Sequence, residues 1–242
     1  MALISVDDVS GRSVAQATSE LVKKRGLQVI FAHAFPPGTT DFSAILTKVR
    51  AANPDVLGGI PAAIEESAAI ISQMNALNVN PRMVGLLGAA SSDRFYASVG
   101  REAEFVYGFA PWLPELIEIR AGGLIPIAQQ YPGAREFVES YRKEFPDTFV
   151  SFAPAAAYGG CQILVEAIRR AGSLEGGKLR DTILTMNYNT VFGAFRVDQD
   201  GLQIANKYVM MQWQDGKKAI VWPQELAPAT PRFPTPPWNQ RP

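Results

Sequence analysis

The chain has 242 residues, 47% of them hydrophobic and 19% charged, which suits an ordinary globular protein of one large or two small domains. Lysine plus arginine equals aspartate plus glutamate at 23 each, so the surface offers no electrostatic footprint to nucleic acid or to an anionic membrane. A single cysteine, Cys161, excludes an internal disulfide, and a single histidine, His33, without a cysteine cluster excludes the common zinc sites.

The elements alternate from the start. Residues 2–6 are a short apolar run and read as a strand. Ser10 is a candidate cap for a helix over 11–25, with Val14, Ala15, Ala17, Leu21 and Val22 spaced for one face and Gly26 as its stop. A strand over 28–33 is broken by Pro36-Pro37-Gly38. Thr40 or Asp41 then caps a helix over 42–52, with Phe42, Ile45, Leu46 and Val49 on its apolar stripe and Asn53-Pro54 as its end. Strands follow over 55–59, 82–87 and 104–109, separated by helices over 62–77 and 92–99. Strand–helix alternation with short connections predicts a parallel sheet flanked by helices.

Beyond residue 109 the character changes. Residues 110–132 are rich in proline and glycine and read as a crossover or long loop. Helices are predicted over 133–145, 153–171 and 177–186 with no strand between them. Short strands close the pattern over 193–197, 208–213 and 219–222, the last two joined at the turn signal Asp215-Gly216. The proline-rich stretch 223–242 is expected to be an extended tail.

Catalytic chemistry finds few candidates. There is no G-x-S-x-G elbow, no P-loop and no G-x-G-x-x-G after a strand. Asp7-Asp8 is a weak cation candidate, since hard cations need several convergent oxygens. No catalytic residue, metal or cofactor is expected. No run of roughly 18 apolar residues is present to cross a bilayer, and Asp7-Asp8 interrupts the N-terminal apolar run before a signal peptide could form.

Several stretches, in order, carry a family resemblance. Residues 2–13, ALISVDDVSGRS, resemble the strand, turn and helix that open the second lobe of branched-chain amino-acid-type periplasmic binding proteins. Pro37-Gly38-Thr39-Thr40-Asp41-Phe42-Ser43 followed by Ala52-Asn53-Pro54-Asp55-Val56 is similar to the family's most recognisable stretch. Val191-Phe192-Gly193-Ala194-Phe195-Arg196-Val197-Asp198 with Asp200-Gly201, and the strand Met210-Met211-Gln212-Trp213, resemble its last crossover and closing strand.

The resemblance implies a type I periplasmic-binding-protein-like α/β fold: two lobes of parallel sheet flanked by helices, with a ligand cleft between them. It implies that 1–108 form most of lobe two, 113–189 return to an incomplete lobe one, 193–222 complete lobe two and 223–242 form the tail. The N-terminal part of lobe one is expected to lie outside this chain, in a longer protein that is periplasmic or tethered outside the cell. The implied function is the substrate-binding component of an ABC importer, which captures an amino-acid-like or carboxylic-acid solute and passes it to a membrane permease. A ligand-sensing regulatory module of the same fold is the alternative. No nucleic-acid partner is implied.

Residue by residue, the resemblance puts Ser10 at a turn that contacts ligand and Ile60 at a cleft position often aromatic in amino-acid binders. It puts Leu87 where relatives present a carboxylate to the ligand ammonium, and Trp112 at a crossover that walls the cleft. The plainer readings are a helix cap for Ser10, core for Ile60 and Leu87, and hinge packing for Trp112. Apolar Ile60 and Leu87 suit a less polar solute body, because a buried ammonium without a counter-charge costs several kcal/mol.

Overall fold

The computed structural model describes residues 1–118 and 130–241, which fall into two compact units. Unit 1 holds residues 1–110, 210–221 and 227–242, and unit 2 holds 111–209 and 222–226. The middle of the expected loop over 110–132 lies outside the described residues.

Unit 1 is built on five parallel strands: β1 (Ala2–Val6), β2 (Phe31–Phe35), β3 (Val56–Ile60), β4 (Met83–Leu87) and β5 (Tyr107–Ala110). Their order across the sheet is β2-β1-β3-β4-β5, continued by β8 (Val209–Gln214) and β9 (Lys217–Trp222). The connecting helices are α1 (Val9–Lys24), α2 (Ser43–Ala52), α3 (Ile64–Ala76) and α4 (Asp93–Val99). Because β1 to β2 runs one way across the sheet and β2 to β5 the other, right-handed crossovers place α1 on one face and α2, α3 and α4 on the opposite face. Leu57, Leu86, Ile70, Ile71 and Met74 are wholly buried, as is the edge-to-face pair Phe35 and Phe42 with centroids 4.9 Å apart.

Local chemistry fixes the ends of these elements. α2 ends on Asn53 in the left-handed region, φ 47°, just ahead of Pro54. Between β8 and β9, Asp215 and Gly216 both take positive φ, the two-residue turn that matches strand twist. The buried Glu104 carboxylate accepts both of their amide hydrogens, at 2.9 and 2.7 Å.

Three expectations need revision. α1 is capped by Asp8, whose Oδ1 accepts the Gly11 amide hydrogen at 2.6 Å; Ser10 lies inside the first turn, exposed. The predicted apolar stripe of α1 is not buried: Ala17 and Leu21 are exposed, Val14, Ala15 and Val22 half-buried, and Gly11 is the only buried residue of the helix. Third, the proline-rich end packs against unit 1. The Trp238 indole N–H donates to the Val79 carbonyl at 3.0 Å, and buried Arg241 donates to Asn80 Oδ1 at 2.7 Å while its guanidinium stacks 3.3 Å from the Trp238 ring centroid. Burial pulls the Arg241 guanidinium down to about 10. Arg241→Ala is expected to lower the unfolding free energy by about 2 kcal/mol, with lysine only a partial rescue because it cannot form the planar stack. Urea unfolding of the three chains checks both statements.

Unit 2 contains α5 (Ala134–Glu144), α6 (Phe152–Ala171), α7 (Gly176–Thr185) and a two-stranded antiparallel ribbon. The ribbon is β6 (Tyr188–Thr190) with β7 (Gly193–Phe195), and β6 went unseen in the sequence. Residues 193–209, expected with lobe two, group with unit 2.

Candidate functional site

The site begins with strand alternation. Every second residue of a strand faces the same side, so Val56, Gly58 and Ile60 of β3 share a face, as do Met83, Gly85 and Leu87 of β4. The register sets Val56 beside Met83 and Gly58 beside Gly85, while Leu87 pairs with Phe109 of β5. Two neighbouring glycines therefore form the floor of a depression. A Cβ at Gly58 would meet Met1 Cε at 2.5 Å, and one at Gly85 would meet the Phe109 ring at 3.3 Å.

The depression is a pocket of about 350 Å³ on the face that carries α1. Its walls include Met1, Leu3, Val56, Met83 and, from α1, Val14 and Thr18. At the C-terminal ends of the parallel strands it is bounded by Ile60, Leu87 and Phe109. Ligands of open α/β sheets bind at that end of the strands. Thr18 supplies the hydroxyl in a lining that is otherwise apolar side chains and glycine.

The loops beyond these strand ends are held by a buried carboxylate. Glu66, in the first turn of α3 and 2% exposed, accepts from the Gly38 amide at 2.8 Å through one oxygen. Through the other it accepts from the amides of Ala62 and Ala63, at 2.7 and 3.2 Å. The segment directly after Ile60 is thereby tied to the loop after β2.

The four sequence-predicted residues separate accordingly. Ile60 and Leu87 line the same pocket. Ser10 is exposed in the first turn of α1, after β1, and is not among the pocket residues. Trp112 belongs to unit 2, wholly buried and edge-on to Phe137 with centroids 6.4 Å apart. Among the described residues its indole N–H finds no hydrogen-bond partner. Gly58, Gly85 and Phe109 were missed. Their signal was present, because glycine inside a strand often marks a close approach of another group.

Asp7 and Asp8 are otherwise employed: Asp7 pairs with Arg12 at 2.6 Å and Asp8 caps α1. Among the described residues, no group of three or more His, Cys, Asp or Glu is placed to hold a metal ion. None of the described helices is long and apolar enough to cross a membrane.

The chain is similar to several known proteins. A Leu/Ile/Val-binding protein homolog of Brucella melitensis is 25% identical over 243 residues, covering 97% of this chain and 57% of that relative. The chain thus spans little more than half the length of the curated relatives it matches. A leucine binding protein of Thermotoga maritima superposes with a TM-score of 0.72 at 23% identity, over 90% of this chain and 59% of that one. The substrate binding protein LivJ of Streptococcus pneumoniae, solved in complex with isoleucine, gives 0.71 at 20% identity, over 92% and 60%. At such identities the two structures share the fold, the type I periplasmic-binding-protein architecture of parallel sheet flanked by helices. The family described as periplasmic binding protein matches residues 1–218, and the chain belongs to it.

Proposed function

We propose that this chain is part of the substrate-binding component of an ABC importer, and that it takes up a small organic solute at the C-terminal edge of the unit 1 sheet. The observation that carries the reading is the convergence of Ile60, Leu87 and Phe109, from three adjacent parallel strands, around one open apolar pocket. Family membership supports binding and delivery without catalysis. The longer protein acts outside the cytoplasm, in the periplasm or tethered at the outer surface, and hands its solute to a membrane permease.

The lining chemistry refines the solute. A carboxylate at position 87 would neutralise a ligand ammonium; leucine there favours an uncharged tail, and a carboxylic acid over an α-amino acid. Des-amino leucine, 4-methylpentanoate, is therefore expected to raise the melting temperature more than leucine. A 100-fold excess over Kd stabilises by about 2.7 kcal/mol, or about 5–10 °C for a chain of this size. Thermal denaturation with each compound tests this. Stabilisation by leucine alone refutes the solute class, and no response to either compound refutes the site.

A further inference from the structure

Residues 227–241 are held to unit 1 in the manner of a bound peptide. None of their apolar side chains is buried: Pro228, Pro231, Phe233, Pro234 and Pro237 stand exposed, and the remainder, Trp238 included, are half-buried. A segment of the core would bury such groups. Here the backbone is what the rest of the unit grips. Its N–H groups donate at every third residue: Ala229 to the Ile220 carbonyl at 3.4 Å, Arg232 to Gln212 Oε1 at 2.8 Å and Thr235 to the Arg82 carbonyl at 2.8 Å. Each donor directly follows a proline, at 228, 231 or 234, which has no N–H to offer. The spacing P-x-x-P-x-x-P therefore keeps a hydrogen wherever an acceptor stands.

The receiving surface is polar and specific in geometry. Gln212, on β8 and wholly buried, uses both ends of its amide on one residue: Oε1 accepts the Arg232 N–H, and Nε2 donates to the Arg232 carbonyl at 2.9 Å. A neighbouring antiparallel strand would make the same exchange; here a side chain supplies it. Gln214, on the same face of β8, donates to the Thr230 carbonyl at 2.9 Å and to the Gln212 oxygen at 2.7 Å. The Tyr107 hydroxyl donates to the Arg232 carbonyl at 3.4 Å. Side-chain anchors flank this stretch: Arg232 forms a two-pronged ion pair with Asp215, while Trp238 and Arg241 bond to Val79 and Asn80. Val79, Asn80 and Arg82 precede β4, so the surface lies at the N-terminal ends of the parallel strands, opposite Ile60 and Leu87. A solute there and a peptide here do not compete.

We propose that unit 1 carries a binding surface for proline-rich peptides, with residues 227–241 as its resident, releasable ligand. The partner it fits is a P-x-x-P-x-x-P segment of another chain bearing the same arginine and tryptophan anchors. Proline lowers the ordering cost of such a peptide, so backbone bonds and a few anchors suffice to hold it. In the intact chain the tether presents the tail at a millimolar effective concentration, which keeps the surface filled.

Two measurements on the full chain test this. In the first, the tail's anchors are removed as Trp238→Ala with Arg241→Ala, and a fluorescent peptide with the natural sequence of residues 227–241 is titrated in and followed by anisotropy. The peptide should bind this chain at least about tenfold more tightly than wild type, whose own tail competes. N-methylation of the peptide at Arg232 removes the hydrogen that Gln212 receives and should weaken binding about tenfold. In the second, amide hydrogen exchange of wild type should show Ala229, Arg232 and Thr235 exchanging together, through an opening that leaves the β3 and β4 amides protected. The proposal is overturned if the folded anchorless chain takes up no peptide, if wild type binds it as tightly, or if N-methylation makes no difference. It is also overturned if the three tail amides exchange only as β3 and β4 unfold, and that result decides the matter should the anchorless chain fail to fold.

Discussion

Replacing Glu66 by alanine is expected to lower the unfolding free energy by about 2–3 kcal/mol. Three backbone N–H groups in partly buried bonds, from Gly38, Ala62 and Ala63, lose their shared acceptor at once. Each donor then recovers only what water reaching the partly buried loop can supply. Glu66→Gln should fall between the two, because one carbonyl oxygen remains while the amide N–H₂ is forced against a donor. Chemical denaturation measures both. Equal stability of wild type and Glu66→Ala would show that water replaces the carboxylate freely. The substitution should also loosen the segment after Ile60, so ligand affinity should drop with stability.

Gly11→Ala is expected to cost about 3 kcal/mol, the upper part of the range for overpacking. A Cβ at Gly11 would collide with the carbonyl oxygen of Val6, which is backbone, and with the Val6 side chain. Neither can swing away without moving β1 against β2 and β3, with which Val6 and its neighbours are paired. Alanine ordinarily stabilises a helix by about 1 kcal/mol over glycine, so a clear loss here would isolate the clash. A neutral or stabilising result in urea unfolding would mean that α1 can lift from the sheet.

The alternating core was legible because it rests on strong local signals. Gly26, Asn53-Pro54 and Asp215-Gly216 each mark a chain reversal with backbone that other residues adopt reluctantly, and the strands between them came out within a few residues. β2 shifted from the expected 28–33 to Phe31–Phe35 because an edge strand takes its register from β1, not from its own apolar run. The cap of α1 was misplaced by two residues, since Asp8 and Ser10 have similar capping strength and only geometry chooses between them. The tail was read as extended from its prolines, yet Trp238 and Arg241 dock its end, and Thr230, Arg232 and Thr235 bond back to the sheet and its neighbours. Of the site, Ile60 and Leu87 came from the family resemblance. The pairing of Gly58 with Gly85 depends on register between strands 27 residues apart, which no local pattern encodes.

Mapping solute contact on the isotope-labelled chain by two-dimensional amide NMR tests the solute site most directly. With 4-methylpentanoate at millimolar concentration, the expected shifts fall on the pocket lining, Val56–Ile60, Met83–Leu87, Phe109 and the Val14 to Thr18 stretch of α1, and they vanish when Gly85→Val fills the pocket. Shifts centred elsewhere, or unchanged by Gly85→Val, would contradict a solute site at these strand ends.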